Sequence, residues 1–169
     1  MFNKALSLIN FFLSFIYYFL YKIVVFCYKK NIFKTYDSKN IFIVGVGNLS
    51  MGGSGKTPFI KLLADCLTKH KKKHCIITRG YKKKNNQTFY VDNNNLSSFS
   101  PEIIGDEPFM LSRELEKTPM IVGNKIKGLQ IAENKKKFLY ALIDDGFQTF
   151  SIKKNYNVLL LDFSVSLKN

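Results

Sequence analysis

A glycine-rich stretch that ends in Gly55-Lys56-Thr57 carries the clearest chemistry in the sequence. It follows a short apolar run at residues 41–44, and a segment with helical spacing comes after it. Without Cβ atoms, glycines let successive backbone N–H groups curl around an anion, and the N-terminus of the following helix favours negative charge there. In such a loop the lysine reaches the β- and γ-phosphates and the threonine hydroxyl ligates Mg²⁺. The stretch therefore predicts a phosphate-binding loop for a nucleotide.

The predicted nucleotide-binding residues are contiguous, and one position departs from the strict motif. They are Met51, Gly52, Gly53, Ser54, Gly55, Lys56, Thr57 and Pro58. The strict pattern has a glycine five residues before Gly55, and this sequence has Ser50 there. A glycine-rich turn that binds nothing is the alternative interpretation. We favour the phosphate loop because Gly-Lys-Thr lies between a predicted strand and a predicted helix.

Acidic residues follow two other predicted strands. Asp144 and Asp145 come after the apolar run 139–143, and Asp162 comes after residues 158–161. Short apolar strands that alternate with helices predict βαβ units and a parallel sheet, whose carboxyl strand ends meet at one edge. A strand that ends in Asp is typical of the second half of a P-loop site, where the carboxylate holds Mg²⁺ directly or through water.

Further charged residues have two interpretations each. Asp106 and Glu107 precede a helix predicted to run to about Lys117, where Asp106 could simply cap the helix. His70 and His74 have the spacing of a metal-binding pair, but three lysines separate them, so we favour a solvated helix end.

Composition favours anionic partners without choosing among them. The 169 residues carry a net charge of +14, from 26 Lys+Arg and 12 Asp+Glu, which suits nucleic acid, anionic lipid or phosphorylated substrates. Abundant Lys, Asn, Ile and Phe also fit a compositional bias with lysines as solvated surface. Three cysteines without a C-x-x-C pair argue against a disulfide framework or zinc site.

The sequence predicts three segments: an N-terminal membrane anchor helix at residues 1–30, a linker at 31–40 and a P-loop domain at 41–169. The first segment has 17 residues without formal charge, from Ala5 to Tyr21, before Lys22 interrupts it. A cleaved signal peptide and a helix lying in the membrane interface are the alternatives. Lysines C-terminal to the apolar run predict, by the positive-inside rule, that the remainder of the chain is cytoplasmic.

Four motifs in register resemble those of the tetraacyldisaccharide 4′-kinases, the lipid A 4′-kinases of Gram-negative bacteria. The motifs are residues 47–58, Thr78-Arg79-Gly80-Tyr81, Gly105-Asp106-Glu107-Pro108 and Asp144-Asp145-Gly146-Phe147-Gln148. The resemblance implies a P-loop NTPase-like parallel sheet flanked by helices, at the cytoplasmic face of the inner membrane. It implies that ATP and Mg²⁺ serve to phosphorylate the 4′-hydroxyl of a lipid-linked disaccharide 1-phosphate, giving lipid IVA, with no nucleic-acid partner.

The resemblance also implies roles for individual residues. Asp106 matches the Asp that acts on the attacking hydroxyl, and Lys56 grips the nucleotide. Thr57, Glu107, Asp144 and Asp145 match the groups around the metal. We add that Arg79 and nearby lysines meet the anionic groups of the substrate.

The chain departs from the family pattern in two respects. Thr149 follows the Asp-Asp-Gly-Phe-Gln motif where the family usually has His, and the resemblance covers only the N-terminal half of a family member. Three possibilities therefore stay open: a truncated or inactive fragment, a kinase completed by a separate C-terminal half from a split gene, and a membrane-anchored nucleotide-binding module without lipid kinase activity.

Overall fold

The structure is a computed structural model that describes residues 2–48, 55–80, 83 and 86–161, with side chains from residue 11 onward. It divides into two compact units, Met1–Tyr36 and Asp37–Asn169.

The first unit is built on one long helix, α1 (Phe2–Lys29). Within it, Phe11–Lys29 has a mean hydropathy of 1.8 and is long and apolar enough to cross a membrane by length and composition. The helix ends where Asn31 adopts a left-handed conformation, with φ 56°. Such a residue just beyond the last turn is a common way to close a helix. The Lys22 ammonium lies 5.2 Å from the centroid of the Tyr18 ring, one turn earlier.

The second unit is a six-stranded sheet with helices on its connections. The strands are β1 (Phe42–Asn48), β2 (His74–Thr78), β3 (Phe89–Val91), β4 (Met120–Val122), β5 (Tyr140–Ile143) and β6 (Tyr156–Leu160), in the order β3-β4-β2-β5-β1-β6. All neighbouring strands are parallel except β3 and β4. The helices are α2 (Lys56–Lys69), α3 (Pro101–Ile104), α4 (Asp106–Glu114) and α5 (Lys125–Asn134), with a 3₁₀ turn at Leu96–Ser98. The predicted α/β class with a largely parallel sheet is confirmed.

The central strands form the core because both of their faces are covered. All five residues of β2 are buried, and so are all three of β4. Gly128 lets α5 approach the sheet closely, since a Cβ there would lie 2.9 Å from Ile77 Cγ2. The edge strand β6 is less covered, and its Tyr156 is 66% exposed. Near-continuous apolar runs such as β2 are what a parallel sheet requires.

Strand β1 is longer than the sequence predicts, and this changes the role of two glycines. It continues past residue 44 to Asn48, so Gly45 and Gly47 lie in the strand and not in the phosphate loop. A Cβ on Gly47 would lie 2.4 Å from Phe147 Cβ, and one on Gly45 would lie 2.7 Å from Lys154 Cδ. These glycines are needed for close packing against the segment that follows β5.

Two local predictions are wrong. Asp106 does not cap α4: it is the first residue of the helix, the cap position is Gly105 with φ 95°, and the helix ends at Glu114. His74 does not belong to a solvated helix end, because it starts β2 and is 5% exposed. Its ring nitrogens lie 2.8 Å from the Lys72 carbonyl oxygen and 3.1 Å from Thr118 Oγ1. Burial lowers the pKa of His74, in keeping with a neutral structural histidine.

Candidate functional site

The N-terminus of α2 carries the end of the predicted phosphate loop. β1 ends at Asn48 and α2 begins at Lys56, so the loop joins the first strand to the first helix. Gly55 precedes the helix with φ 75°, a left-handed conformation that glycine adopts without strain. The first backbone N–H groups of a helix have no partner within it and favour an anion. The predicted residues Met51, Gly52, Gly53 and Ser54 lie outside the described residues.

The segment after β5 holds two carboxylates at the same edge of the sheet. Asp144 Oδ2 accepts a hydrogen bond of 3.0 Å from Thr78 Oγ1, and Asp144 Oδ1 accepts one of 2.9 Å from the Asp145 backbone N–H. Burial raises the pKa of Asp144, the neighbouring charge of Asp145 raises it further, and the bond from Thr78 opposes both effects. Asp145 is exposed and has φ 48°, which is uncommon for a residue with a side chain. Asp162 lies outside the described residues.

The fold brings four of the predicted site residues together in two pairs at this edge. Lys56 Nζ lies 2.5 Å from Asp145 Oδ1, and Thr57 Oγ1 donates a hydrogen bond to Glu107 Oε1. Thr57, Thr78, Glu107 and Asp144 line one small cavity with apolar side chains beneath them. The starts of α2 and α4 therefore meet the ends of β2 and β5, although Lys56 and Asp145 are 89 positions apart in the sequence.

Asp106 and Pro108 flank Glu107 in the first turn of α4. The Asp106 side chain is exposed, whereas Pro108 is buried and lines the same cavity as Thr57. Arg79 follows β2 at this edge of the sheet and is also exposed. In α2, Pro58 occupies the first turn, where a missing backbone N–H removes no intrahelical hydrogen bond.

The predicted metal-binding residues offer oxygen donors of the kind that Mg²⁺ prefers. They are Thr57, Glu107, Asp144 and Asp145. Within the described ranges, no group of three His, Cys, Asp or Glu side chains is close enough to hold a metal ion by itself. Mg²⁺ at nucleotide sites commonly uses one or two carboxylates, with phosphates and water completing the shell. The donor set fits a metal that binds together with a nucleotide.

Two lysines that the sequence analysis did not single out, Lys125 and Lys154, contact the acidic segment, and Thr149 lies within it. Lys125 Nζ donates to the Asp145 carbonyl oxygen at 2.7 Å, and Lys154 Nζ donates to the carbonyl oxygens of Gly146 at 2.7 Å and Thr149 at 2.8 Å. Thr149 Oγ1 donates to the Asp145 carbonyl oxygen at 3.1 Å. Burial lowers the pKa of Lys125, and burial lowers that of Lys154 to about 8, with the charge of Lys125 contributing. No local signal distinguishes these two lysines from the others in so basic a chain.

Comparison with known proteins identifies the family of this chain. A family model described as tetraacyldisaccharide-1-P 4′-kinase matches residues 6–169. Tetraacyldisaccharide 4′-kinases from Aquifex aeolicus and Elusimicrobium minutum are each 38% identical, over 120 and 135 residues. These alignments cover 70% and 76% of this chain but only 38% and 35% of the two relatives.

A solved structure agrees with this result. The crystal structure of an apo form of LpxK from Aquifex aeolicus in complex with ATP matches with a TM-score of 0.79 and 35% identity. The match covers 90% of this chain and 47% of that one, so the chain spans less than half the length of the proteins it resembles. The chain belongs to the tetraacyldisaccharide-1-P 4′-kinase family.

Proposed function

We propose that this chain is the nucleotide-binding part of a lipid A 4′-kinase. The complete enzyme transfers the γ-phosphoryl group of ATP to the 4′-hydroxyl of a tetraacyldisaccharide 1-phosphate and forms lipid IVA. One observation carries the proposal: Lys56 and Thr57, at the start of α2, contact Asp145 and Glu107 at the carboxyl edge of the sheet. Family membership supplies the substrate class.

Lys56 and the backbone of the loop hold the phosphates of ATP in this proposal. The loop residues are Met51, Gly52, Gly53, Ser54, Gly55, Thr57 and Pro58. Lys56 is held by Asp145 in the structure, and an incoming phosphate competes with that carboxylate for the ammonium group. The positive end of α2 favours the same anion, so the charge of the triphosphate is neutralised from two directions.

Thr57, Glu107, Asp144 and Asp145 hold Mg²⁺ in this proposal. When bound there, the ion would supply positive charge that neutralises the phosphate oxygens during phosphoryl transfer. Thr78 orients Asp144 through the hydrogen bond to Oδ2, which leaves lone pairs of the carboxylate free for a ligand. Because burial raises the pKa of Asp144, we expect the site to lose metal affinity on acidification earlier than an exposed carboxylate would.

Asp106 accepts the proton of the attacking hydroxyl in this proposal. Its side chain is exposed next to Glu107, so a sugar hydroxyl can approach it from solvent. A positioned carboxylate that takes this proton contributes roughly 10²–10⁴-fold to such reactions. Arg79, exposed at the same edge, is available to the anionic groups of the substrate.

We further propose that residues 1–30 anchor the chain in the inner membrane, that 31–40 link the anchor to the domain at 41–169, and that the domain is cytoplasmic. Support comes from the apolar helix Phe11–Lys29 and from the lysines that follow it. A lipid-linked substrate is then available to the enzyme at the bilayer.

Transfer to lipid requires the rest of the family fold, because this chain aligns with only 35–38% of the first three curated relatives. If the gene is split, a separate polypeptide carrying the C-terminal half would supply it. The second candidate is a nucleotide-binding module without lipid kinase activity, and its support is the predicted phosphate loop alone.

The test uses the full chain in detergent micelles and a chimera in which it replaces the aligned part of the Aquifex aeolicus relative. Binding of a fluorescent ATP analogue and transfer of ³²P to the acyl disaccharide are measured. We expect Lys56→Ala to abolish both and Asp106→Asn to abolish transfer while sparing binding. Lys61→Ala is the matched control, because Lys61 lies on the same helix and pairs with Glu114 at 2.8 Å.

The outcomes separate the candidates. Unchanged nucleotide binding in Lys56→Ala would refute the proposed site. Nucleotide binding by the chain, together with a chimera that never labels the lipid, would favour the module without lipid kinase activity.

A further inference from the structure

We propose that Lys154 is a positioning residue that holds the backbone of residues 144–149, here named the acidic loop, so that Asp144 and Asp145 face the nucleotide. This inference rests on the proposed function and adds to it a residue outside the predicted site.

The contacts of Lys154 are to the backbone of the acidic loop. Its ammonium group donates to the carbonyl oxygens of Gly146 and Thr149, at 2.7 and 2.8 Å. Both ends of the short turn after Asp145 are therefore tied to a single cation. Among the ion pairs formed between described residues, none involves Lys154, so its charge is directed at the loop.

The fold makes room for this lysine. Its stem crosses β1 at Gly45, where a Cβ would lie 2.7 Å from Lys154 Cδ. Gly146 packs against the same point of β1, and its backbone N–H donates to the Val46 carbonyl oxygen at 2.7 Å. A Cβ on Gly146 would lie 2.6 Å from Gly45 Cα. Because Gly45 and Gly146 have no side chains, β1, the acidic loop and the side chain of Lys154 can pack in direct contact.

The neighbouring lysine behaves differently and provides a control. Lys153 is exposed and pairs with Asp37 at 2.8 Å, with both side chains more than half exposed. Lys154 is partly buried, and burial together with Lys125 lowers its pKa to about 8. Keeping a cation there has a cost in solvation, which the two carbonyl bonds offset.

The loop needs such support because Asp145 has an unfavourable backbone conformation, with φ 48°. Lys125 holds the carbonyl oxygen of Asp145 and Lys154 holds the next one along, at Gly146. Loss of Lys154 leaves two carbonyls without their charged donor and lets the turn relax. The Asp145 carboxylate would then no longer meet Lys56 and the metal in a fixed geometry.

The test compares Lys154→Met, which keeps the length of the side chain without donors, with Lys154→Arg and with the control Lys153→Met. Amide hydrogen exchange of the acidic loop and Mg²⁺-dependent binding of the fluorescent ATP analogue are measured on the full chain. Lys154→Met should speed exchange at Gly146 and Thr149 about tenfold and weaken Mg²⁺-dependent binding by a similar factor, as expected for the loss of charge-assisted hydrogen bonds. Lys154→Arg should restore most of the slow exchange and most of the Mg²⁺-dependent binding, and Lys153→Met should match the wild type in both measurements.

The proposal is overturned if Lys154→Met leaves exchange in the acidic loop unchanged, or raises it equally in β2 and β4. It is also overturned if the loop loosens while the Mg²⁺ dependence of binding stays that of the wild type. A wild-type chain that binds no nucleotide counts against the proposed function, and the exchange comparison then decides the role of Lys154 by itself.

Discussion

The two ends of the same sheet carry many lysines, but they use them differently. Around the segment that follows the carboxyl end of β5, Lys56, Lys125 and Lys154 are partly buried, and each donates to an acidic side chain or a loop carbonyl. At the amino ends, the described residues that line a cavity of about 340 Å³ include five lysines and no acidic residue. Its lysines are Lys71, Lys72, Lys73, Lys117 and Lys137, all of them exposed.

The lysines that give the chain its net charge of +14 therefore fall into at least two groups with different environments. The amino-end lysines occur in three connections that each lead into a strand, β2, β4 or β5, where water can solvate them. The carboxyl-end lysines are held in a fixed arrangement around the carboxylates of the acidic loop. Only the second kind of arrangement brings lysines and carboxylates together, as the proposed phosphoryl transfer would require.

The largest expected effect on stability is at the carboxyl end, from Gly47→Ala. The new Cβ would lie 2.4 Å from Phe147 Cβ and 3.1 Å from the Phe147 backbone nitrogen, so β1 and the acidic loop must separate. Overpacking of this kind costs ~3 kcal/mol of unfolding free energy. Urea denaturation followed by circular dichroism measures the loss.

Gly55→Ala is the matched control for this substitution. None of the described residues lies within 4 Å of a Cβ at Gly55, but its φ of 75° gives the new side chain a strain of ~1 kcal/mol. If Gly47→Ala were as mild as Gly55→Ala, the close packing of the acidic loop on β1 would not be a structural requirement.

We expect Asp144→Asn to raise the free energy of unfolding, by less than Gly47→Ala lowers it. Folding raises the pKa of Asp144, so the folded state favours the protonated carboxyl. The ionised form therefore costs stability, and this cost grows as the pH rises from below the unfolded pKa through the raised folded pKa. The amide removes the cost, so we expect the variant to be ~1 kcal/mol more stable at neutral pH, a common size for stabilising substitutions.

Denaturation across the pH range and Mg²⁺-dependent nucleotide binding test this expectation together. The stability gain should vanish near pH 3, and metal-dependent binding should be lost at every pH. Asp65→Asn, at an exposed position of α2, is the control and should change neither property. A destabilised Asp144→Asn at neutral pH would mean that the carboxylate is needed for the fold itself.

A structural element is predicted well from the sequence when the residues that determine it lie close together in the chain. Helix α2 (Lys56–Lys69) follows the glycine-rich stretch, where the helical spacing predicts a helix, and β4 coincides with the short apolar run at residues 120–122. The sequence underestimates the length of β1 because the residue that requires a glycine at position 47 is Phe147, a hundred residues later in the chain.

The candidate site shows the same limit. Lys56, Glu107 and Asp145 belong to recognisable motifs, and the fold brings them together as predicted, while their chemical roles stay predictions. Lys125 and Lys154 lie in segments whose composition is that of a lysine-rich surface. Only the path of the acidic loop, a tertiary feature, separates them from solvated lysines.

The smallest expected effect is at the amino end, where Lys72, Lys73 and Lys117 are replaced together by Gln. Surface substitutions of this kind change stability by ~0.5 kcal/mol or less each. Removing the repulsion among these lysines should slightly raise the free energy of unfolding at low salt. The increase should disappear in ~1 M salt, where the screening length is about 3 Å. Thermal unfolding at the two salt concentrations measures this, and nucleotide affinity should match that of the wild type. Weakened nucleotide binding in the triple variant would contradict the distinction between the two groups of lysines, because it would show that lysines at the amino ends of the strands also act on the phosphate site.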